Sequence, residues 1–319
     1  MDAFRKAKEA HEATGKSTNS GRSIALSILP PGSIVGTSSL RRGATIARLH
    51  PGLECRGCRG NLATRLSKLD SGQYDAIILA RIGLERLGLG ERIAEILSPE
   101  VYSSAVGQGA LVVVCRSADT ATRDLVAKAL HHAPTEWACA LERGMLATLQ
   151  GGCKVPIAIH TTITVAPTRS AELFVEMVNS ERAALMDRHA EQVEAQKAAA
   201  AAGNEETKQK HISAVGLRIE PPWTVTSEAE TENTLMACTD ADKSVVLISR
   251  GTVMTLDGKS VIECSVALAL PLLRPDGVQR ARVMNPNEIE AALAADVGAE
   301  LGESLRKLGA EAILMEAKQ

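Results

Sequence analysis

Aromatic side chains are nearly missing: the 319 residues hold two Phe, two Tyr and two Trp. That scarcity excludes the stacking platforms with which many proteins grip single-stranded nucleic acid. A net charge of -2 argues against a general nucleic-acid coat, so no nucleic-acid partner is expected. Nowhere does an apolar run reach the roughly eighteen residues of a membrane span, and "MDAFRKAKEAHEATGK" lacks a secretory core. The expectation is a soluble, cytoplasmic protein without a membrane partner. Seven cysteines, an odd and scattered set, fit a reducing compartment better than a disulfide framework. Cys55 and Cys58 form a C-x-x-C, but no second Cys or His pair follows at ligand spacing, so no metal is expected. Phosphate loops of the G-x-x-x-x-G-K-[ST] or G-x-G-x-x-G kind are missing too, and no internal repeat is found.

Arginine is what the sequence concentrates. "GTSSLRRGATIARLHPGLECRGCRGNLATRL", Gly36 to Leu66, carries Arg41, Arg42, Arg48, Arg56, Arg59 and Arg65 against one glutamate. Around it, from Ser33 to Val114, β-branched runs alternate with helical patterns: "SIVGTSS", "LRRGATIARLH", "NLATRLSKLDSG", "DAIILA", "GLERLGLGERIAEIL" and "GALVVVC". Strands separated by helices read as an α/β unit with a largely parallel sheet and a crevice. "DAIILA" is continuous enough for a strand covered on both faces.

"TRDLVAKALHHAPTEWACALERGMLATL" predicts two helices broken near Pro134, with His131 and His132 as a surface pair. The Ala- and Glu-rich residues 178–212 predict an exposed helix and a linker. "SVVLISRGTVMTLDG" and "VIECSVALALPLL" predict strands about an Asp-Gly turn, and the chain closes with a helix and a strand "AEAILME". Cys115, Cys139, Cys238 and Cys264 fall in apolar patterns and read as structural.

Arg41 and Arg42 follow Thr37, Ser38 and Ser39 at a strand-to-helix transition, a natural anion site. Arg59 and Arg65 belong to the start and second turn of the next helix, facing the same crevice at the strands' carboxyl ends. The arginine fork makes two parallel hydrogen bonds to a planar carboxylate. The residues therefore suggest a ligand with several carboxylates, phosphate being the rival anion.

"PPGSIVGTSSLRR", "CRGNLATRLSKLDSGQYDAIILA", "GLERLGL", "AVGQGAL" and "GGCKVPIAIH" stand in the order and spacing of porphobilinogen deaminase, and the chain resembles that family from Pro31 to about His160 and again from about Thr255. The resemblance implies head-to-tail condensation of four porphobilinogens, with loss of ammonia, into hydroxymethylbilane for tetrapyrrole and haem synthesis. It implies a covalent dipyrromethane cofactor on Cys153, where "GGC" offers a nucleophilic thiol. Each pyrrole ring brings an acetate and a propionate. By the same resemblance, Arg41, Arg42, Arg59, Arg65 and Arg86 hold carboxylates, Thr37, Ser38, Ser39 and Asn61 add neutral hydrogen bonds, and Gly83, Gln108 and Gly109 line the crevice and hinge.

The expected organisation is a first-domain remnant and linker over 1–32, an α/β domain over 33–104, a return segment over 105–135, and an α+β domain over 136–319 with an insertion at about 161–250. The family's Lys-Gly-Leu-Phe and His-Ser-x-Lys-Asp segments have no counterpart in this sequence. The latter carries the aspartate that assists ammonia loss, so no catalytic residue is assigned here. Arg81 and Ile82 stand where the family has small or apolar residues. A homo-oligomer through an orphaned strand 110–115 is a further expectation. An alternative function is a non-catalytic relic that binds pyrrole polycarboxylates or acts as an interaction scaffold; an anion receptor is a more distant third.

Overall fold

The structure is a computed structural model and describes residues 23–150, 155–201, 214–216, 221–222, 242–271 and 288–317. After a one-turn helix α1 (Ile24–Ser27), the chain alternates β1 (Ile34–Gly36), α2 (Leu40–Leu49), β2 (Glu54–Arg56), α3 (Leu62–Asp70), β3 (Ala76–Ile77) and α4 (Arg81–Arg86). The three strands form a parallel sheet in the order β2-β1-β3, with Val35 facing Cys55 on one side and Ala76 on the other. Helices α2 and α3 begin where the sequence supplies a side-chain cap, since Ser39 accepts the Arg42 amide and Asn61 accepts the Thr64 amide.

"DAIILA" contributes only two residues to a ladder, and residues 76–79 are half-buried. A cavity of about 580 Å³ opens beside them, so the run is not covered on both faces as the pattern suggested.

The segment 110–116 carries no regular secondary structure, and the Leu111, Val112, Val113 and Val114 side chains are exposed. A strand needs a ladder partner, and among the described residues this segment has none. Cys115 is exposed, Cys139 half-buried and Cys264 buried, so only the last behaves as a core residue. Cys238 lies outside the described residues.

Helices α5 (Thr120–Leu130) and α6 (Ala133–Leu149) break at His131 and His132, with Pro134 in the first turn of α6 where its missing N–H costs nothing. His131 is not a surface group: its Nε2 lies 3.6 Å from Glu136 and its side chain is 10% exposed.

A second, antiparallel system follows: β4 (Ile157–Pro167), α7 (Thr168–Ala201), β5 (Ala214–Gly216), β6 (Lys243–Met254), β7 (Val261–Pro271), α8 (Glu288–Leu305) and α9 (Glu311–Glu316). Its sheet runs β4-β6-β7-β5, antiparallel except for β5 with β7. The ladder between β4 and β6 extends to Pro167 opposite Lys243, so the long excursion leaves and returns at its far end.

Both faces of this sheet are dry. Val245, Leu247, Cys264, Val266 and Leu268 join the core with Trp137, Leu141 and Met145 of α6 and Leu301 and Leu305 of α8. The alternate residues Val246, Ile248 and Ala267 pack on Ala171, Phe174 and Val178 of α7. The period of two thus puts apolar side chains on either face, which is why "SVVLIS" reads as an unbroken run. The Ala- and Glu-rich helix is packed along its first half, contrary to the exposed helix expected, and is exposed mainly beyond Glu191.

"AEAILME" is helical, not a strand. Gly309 turns the chain at φ 101, and Ile313 and Leu314 then reach the core as neighbours on one helical face.

Candidate functional site

The site is built at the carboxyl ends of the three parallel strands. Thr37, Ser38 and Ser39 leave β1, and the Thr37 amide donates to the Arg56 carbonyl at 2.8 Å. The Ser38 hydroxyl lies 3.7 Å from where a Cβ on Gly57 would stand, so the loops after β1 and β2 adjoin. Ser39 then caps α2, whose N-terminus presents Arg41 and Arg42. Its face Arg41, Ala44, Thr45 and Ile46 turns inward.

Arg41 is 8% exposed. Its guanidinium donates to the Ser103 carbonyl and, at 3.2 Å, to Gln108 Oε1. Burial, then the neighbouring positive charge of Arg42, lowers its pKa to about 10. Arg42 donates to the Ile78 carbonyl at 3.1 Å, and burial followed by the charge of Arg65 lowers its pKa also. The charged forms of Arg41 and Arg42 are therefore held at a cost.

The unpaired state of these groups separates them from their neighbours. In the same layer Arg48 faces Glu263, Arg56 faces Glu54, Arg81 faces Glu85 and Arg92 faces Asp70. Among the described residues, none of Arg41, Arg42, Arg59, Arg65 and Arg86 has an acidic partner within 4.0 Å. Arg65 is half-buried with Nε donating to the Gly60 carbonyl at 2.8 Å, while Arg59 and Arg86 are exposed.

The expected set is not gathered in a single cavity. Arg41, Arg42 and Gln108 line the 580 Å³ cavity together with Arg81, and leucines and isoleucines form much of its remaining wall. Arg59, Asn61 and Arg65 stand beyond that wall on the loop after β2 and the first turn of α3, one turn earlier than the sequence suggested for Arg65. Gly83 and Arg86 sit on α4, and Gly109 is in the exposed turn after Gln108, also outside the cavity wall. Asn61 is a helix cap first, since its Oδ1 takes both the amide and the hydroxyl of Thr64, leaving its amide nitrogen for a ligand.

Sequence reasoning named Gln108 but not Ser103, whose carbonyl also holds Arg41 in place. Ser103 is itself gripped from the other sheet by Arg250, whose Nη2 donates to the Glu100 carbonyl and, at 3.3 Å, to Ser103 Oγ. No local pattern marks such partners, because they stand 62 to 67 residues from Arg41 and 147 residues apart across the Arg250 contact. Cys153, expected as the attachment point, lies outside the described residues. Among those residues no group of His, Cys, Asp and Glu is placed to hold a metal, and no helix is long and apolar enough to cross a membrane.

Two family models match the chain: "Porphobilinogen deaminase, dipyromethane cofactor binding domain" over residues 6–124, and "Porphobilinogen deaminase, C-terminal domain" over 137–208. Among curated proteins, the porphobilinogen deaminase of Synechococcus sp. (strain RCC307) is 51% identical over 140 residues, 44% of either chain. That of Gloeobacter violaceus is 53% identical over 140 residues, 43% of this chain and 42% of its own. The porphobilinogen deaminase of Synechococcus elongatus is 49% identical over 138 residues, 43% of either chain. The chain thus spans less than half the length of the relatives it matches.

Proposed function

This chain belongs to the porphobilinogen deaminase family, and we propose that its arginine crevice holds the carboxylates of a covalently attached dipyrromethane and of porphobilinogen. The activity proposed is that of a transferase, hydroxymethylbilane synthase, condensing four porphobilinogens with release of ammonia in tetrapyrrole synthesis. One observation carries the reading: Arg42 stands between the like charges of Arg41 and Arg65, and among the described residues none of the three has an acidic partner, while neighbouring arginines are paired.

The residues present fit such a group. Carboxylates entering between Arg42 and Arg65 offset both the burial and the lesser repulsion from Arg65 that lower the Arg42 pKa. Arg59 and the Ser38 hydroxyl belong to the adjoining loops after β2 and β1. Arg41 is already committed to Ser103 and Gln108, so its part is to fix the inner wall and supply positive field. Dipyrromethane, when attached, supplies the anchor on which the pyrrole chain grows. The anchor proposed is the Cys153 thiol, on the resemblance of "GGCKVP" to the family.

The test is the intact mass of the freshly purified chain and of its Cys153→Ser variant. An added mass equal to dipyrromethane, lost in the variant, is expected. An unmodified mass in the wild type would overturn attachment, and porphobilinogen titration of the same sample then reads whether the crevice binds without it.

A further inference from the structure

Glu142, on α6, touches none of the arginines, yet it reaches them through two intermediaries. Its Oε2 accepts the backbone N–H of Gly107 at 2.6 Å and its Oε1 accepts the Thr161 hydroxyl at 2.9 Å. Thr161 in turn shares a 2.9 Å hydrogen bond with Ser249 of β6. The carboxylate is therefore fixed to the antiparallel sheet at one oxygen and to the turn 105–109 at the other.

That turn is shaped to deliver one side chain. Gly107 and Gly109 both have positive φ, 66° and 95°. The Gln108 amide donates to the Ala105 carbonyl at 3.0 Å. Gln108 Oε1 folds back over the turn, accepts the Ala105 amide at 3.2 Å, and accepts Arg41 at the same distance. Ser103 and Ser104 enter the turn already tied down, the first by Arg41 and Arg250, the second by a bridge to Ile159.

The geometry points to Glu142 as a positioning residue of the arginine crevice, acting through the Gly107 amide and Gln108 to set where the Arg41 guanidinium stands. Resting on the reading of the crevice as an anion site, this makes the antiparallel half a determinant of ligand affinity. Burial raises the Glu142 pKa, while the Gly107 and Thr161 hydrogen bonds pull it down. Among the described residues, this half-hidden carboxylate has no hydrogen-bond or ion-pair partner besides these two.

The test reads Arg41 directly and needs no ligand. The full-length wild type, Glu142→Ala, Glu142→Gln and Thr161→Val are treated with phenylglyoxal, and adducts are followed by peptide mass on Arg41, with Arg123 as internal reference. Removing a charged acceptor from a buried N–H should free the turn, so the Ala variant should react about tenfold faster at Arg41 alone. The Gln variant keeps an acceptor for Gly107 and should return to near the wild-type rate. Thr161→Val should fall between. Equal acceleration at Arg41 and Arg123 means general loosening and overturns the inference, as does an Ala variant with an unchanged Arg41 rate. If the Ala variant does not fold, a Thr161→Val protein with wild-type Arg41 reactivity overturns it equally. Porphobilinogen titration alongside tests the anion reading separately: a wild type that binds none defeats that reading and leaves the Arg41 rates to judge the relay.

Discussion

At the scale of single residues, the site is a balance between like charges and the backbone carbonyls that hold them. Arg65 is the clearest probe, since it lowers the Arg42 pKa by charge and its own Nε rests on the Gly60 carbonyl. Arg65→Gln should leave folding stability within the small range of surface changes. It should weaken porphobilinogen binding about fivefold, the charge-assisted bond being discounted for partial exposure. Calorimetric titration beside a thermal melt separates the two effects.

Arg41 gives a pH prediction with a definite sign. Its folded pKa, lowered to about 10 from the usual guanidinium range, means the folded state holds fewer protons than the unfolded chain between the two. Stability therefore carries a constant penalty below about 10 and recovers part of it as the pH rises towards the ordinary guanidinium pKa. A bound carboxylate favours the charged guanidinium, so binding above about 10 must take up a proton. Affinity should be flat between neutrality and pH 9 and fall beyond 10, as titrations across that interval would show. The sequence made the arginines and their hydroxyl neighbours legible, because a cluster of one residue type needs no distant information. It could not show which were already engaged, since Ser103 and Gln108 meet Arg41 only after the sheet has formed.

At the scale of elements, helix α2 is the component both halves share. Its first turn bears Arg41 and Arg42, and its buried side also meets the β6–β7 turn, where Ala44 packs with Met254 and Val261, while Arg48 faces Glu263. Gly258 makes that approach possible. Its φ is +68, and a Cβ there would lie 2.5 Å from the Ala44 carbonyl oxygen and 2.7 Å from the Arg48 nitrogen. Gly258→Ala should cost about 1–3 kcal/mol in a urea titration, from backbone strain and overpacking together. Because the displaced backbone is that of the arginine helix, porphobilinogen affinity should fall too.

The Asp-Gly turn itself was plain in the sequence, as were β6 and β7, whose apolar runs are long and bounded by it. The last element was not: "AEAILME" holds two adjacent apolar pairs, and only the turn at Gly309 and the docking of Ile313 and Leu314 decide for a helix. Likewise the composition of α7 describes its distal part well. It hides Phe174 and Val178, two positions that decide which sheet face the helix covers.

At the scale of the whole molecule, the parallel and antiparallel sheets are joined by a few directed contacts and a small apolar patch. Arg250 to Glu100 and Ser103, Ser104 to Ile159, Glu142 to Gly107, and the Ala44, Met254 and Val261 cluster all meet the segment 100–107 or helix α2. The antiparallel half owns the larger core, with both sheet faces covered, whereas the parallel half centres on Leu26, Val35 and Ile46. A small core borrowing rigidity from a larger one should unfold first once the junction weakens. Arg250, 9% exposed, is the junction's buried cation, and Arg250→Ala leaves the Glu100 carbonyl without the donor it now has. With Trp223 replaced by Phe so that Trp137 is the sole indole, denaturant unfolding of the otherwise wild-type protein should be a single transition by circular dichroism and by fluorescence. In Arg250→Ala the two signals should separate: Trp137, buried in the antiparallel core, should report the later step, while porphobilinogen binding is lost in the earlier one. Coincident transitions in the variant would mean that the remaining contacts, Ser104 to Ile159, Glu142 to Gly107 and the apolar patch on α2, suffice to couple the halves.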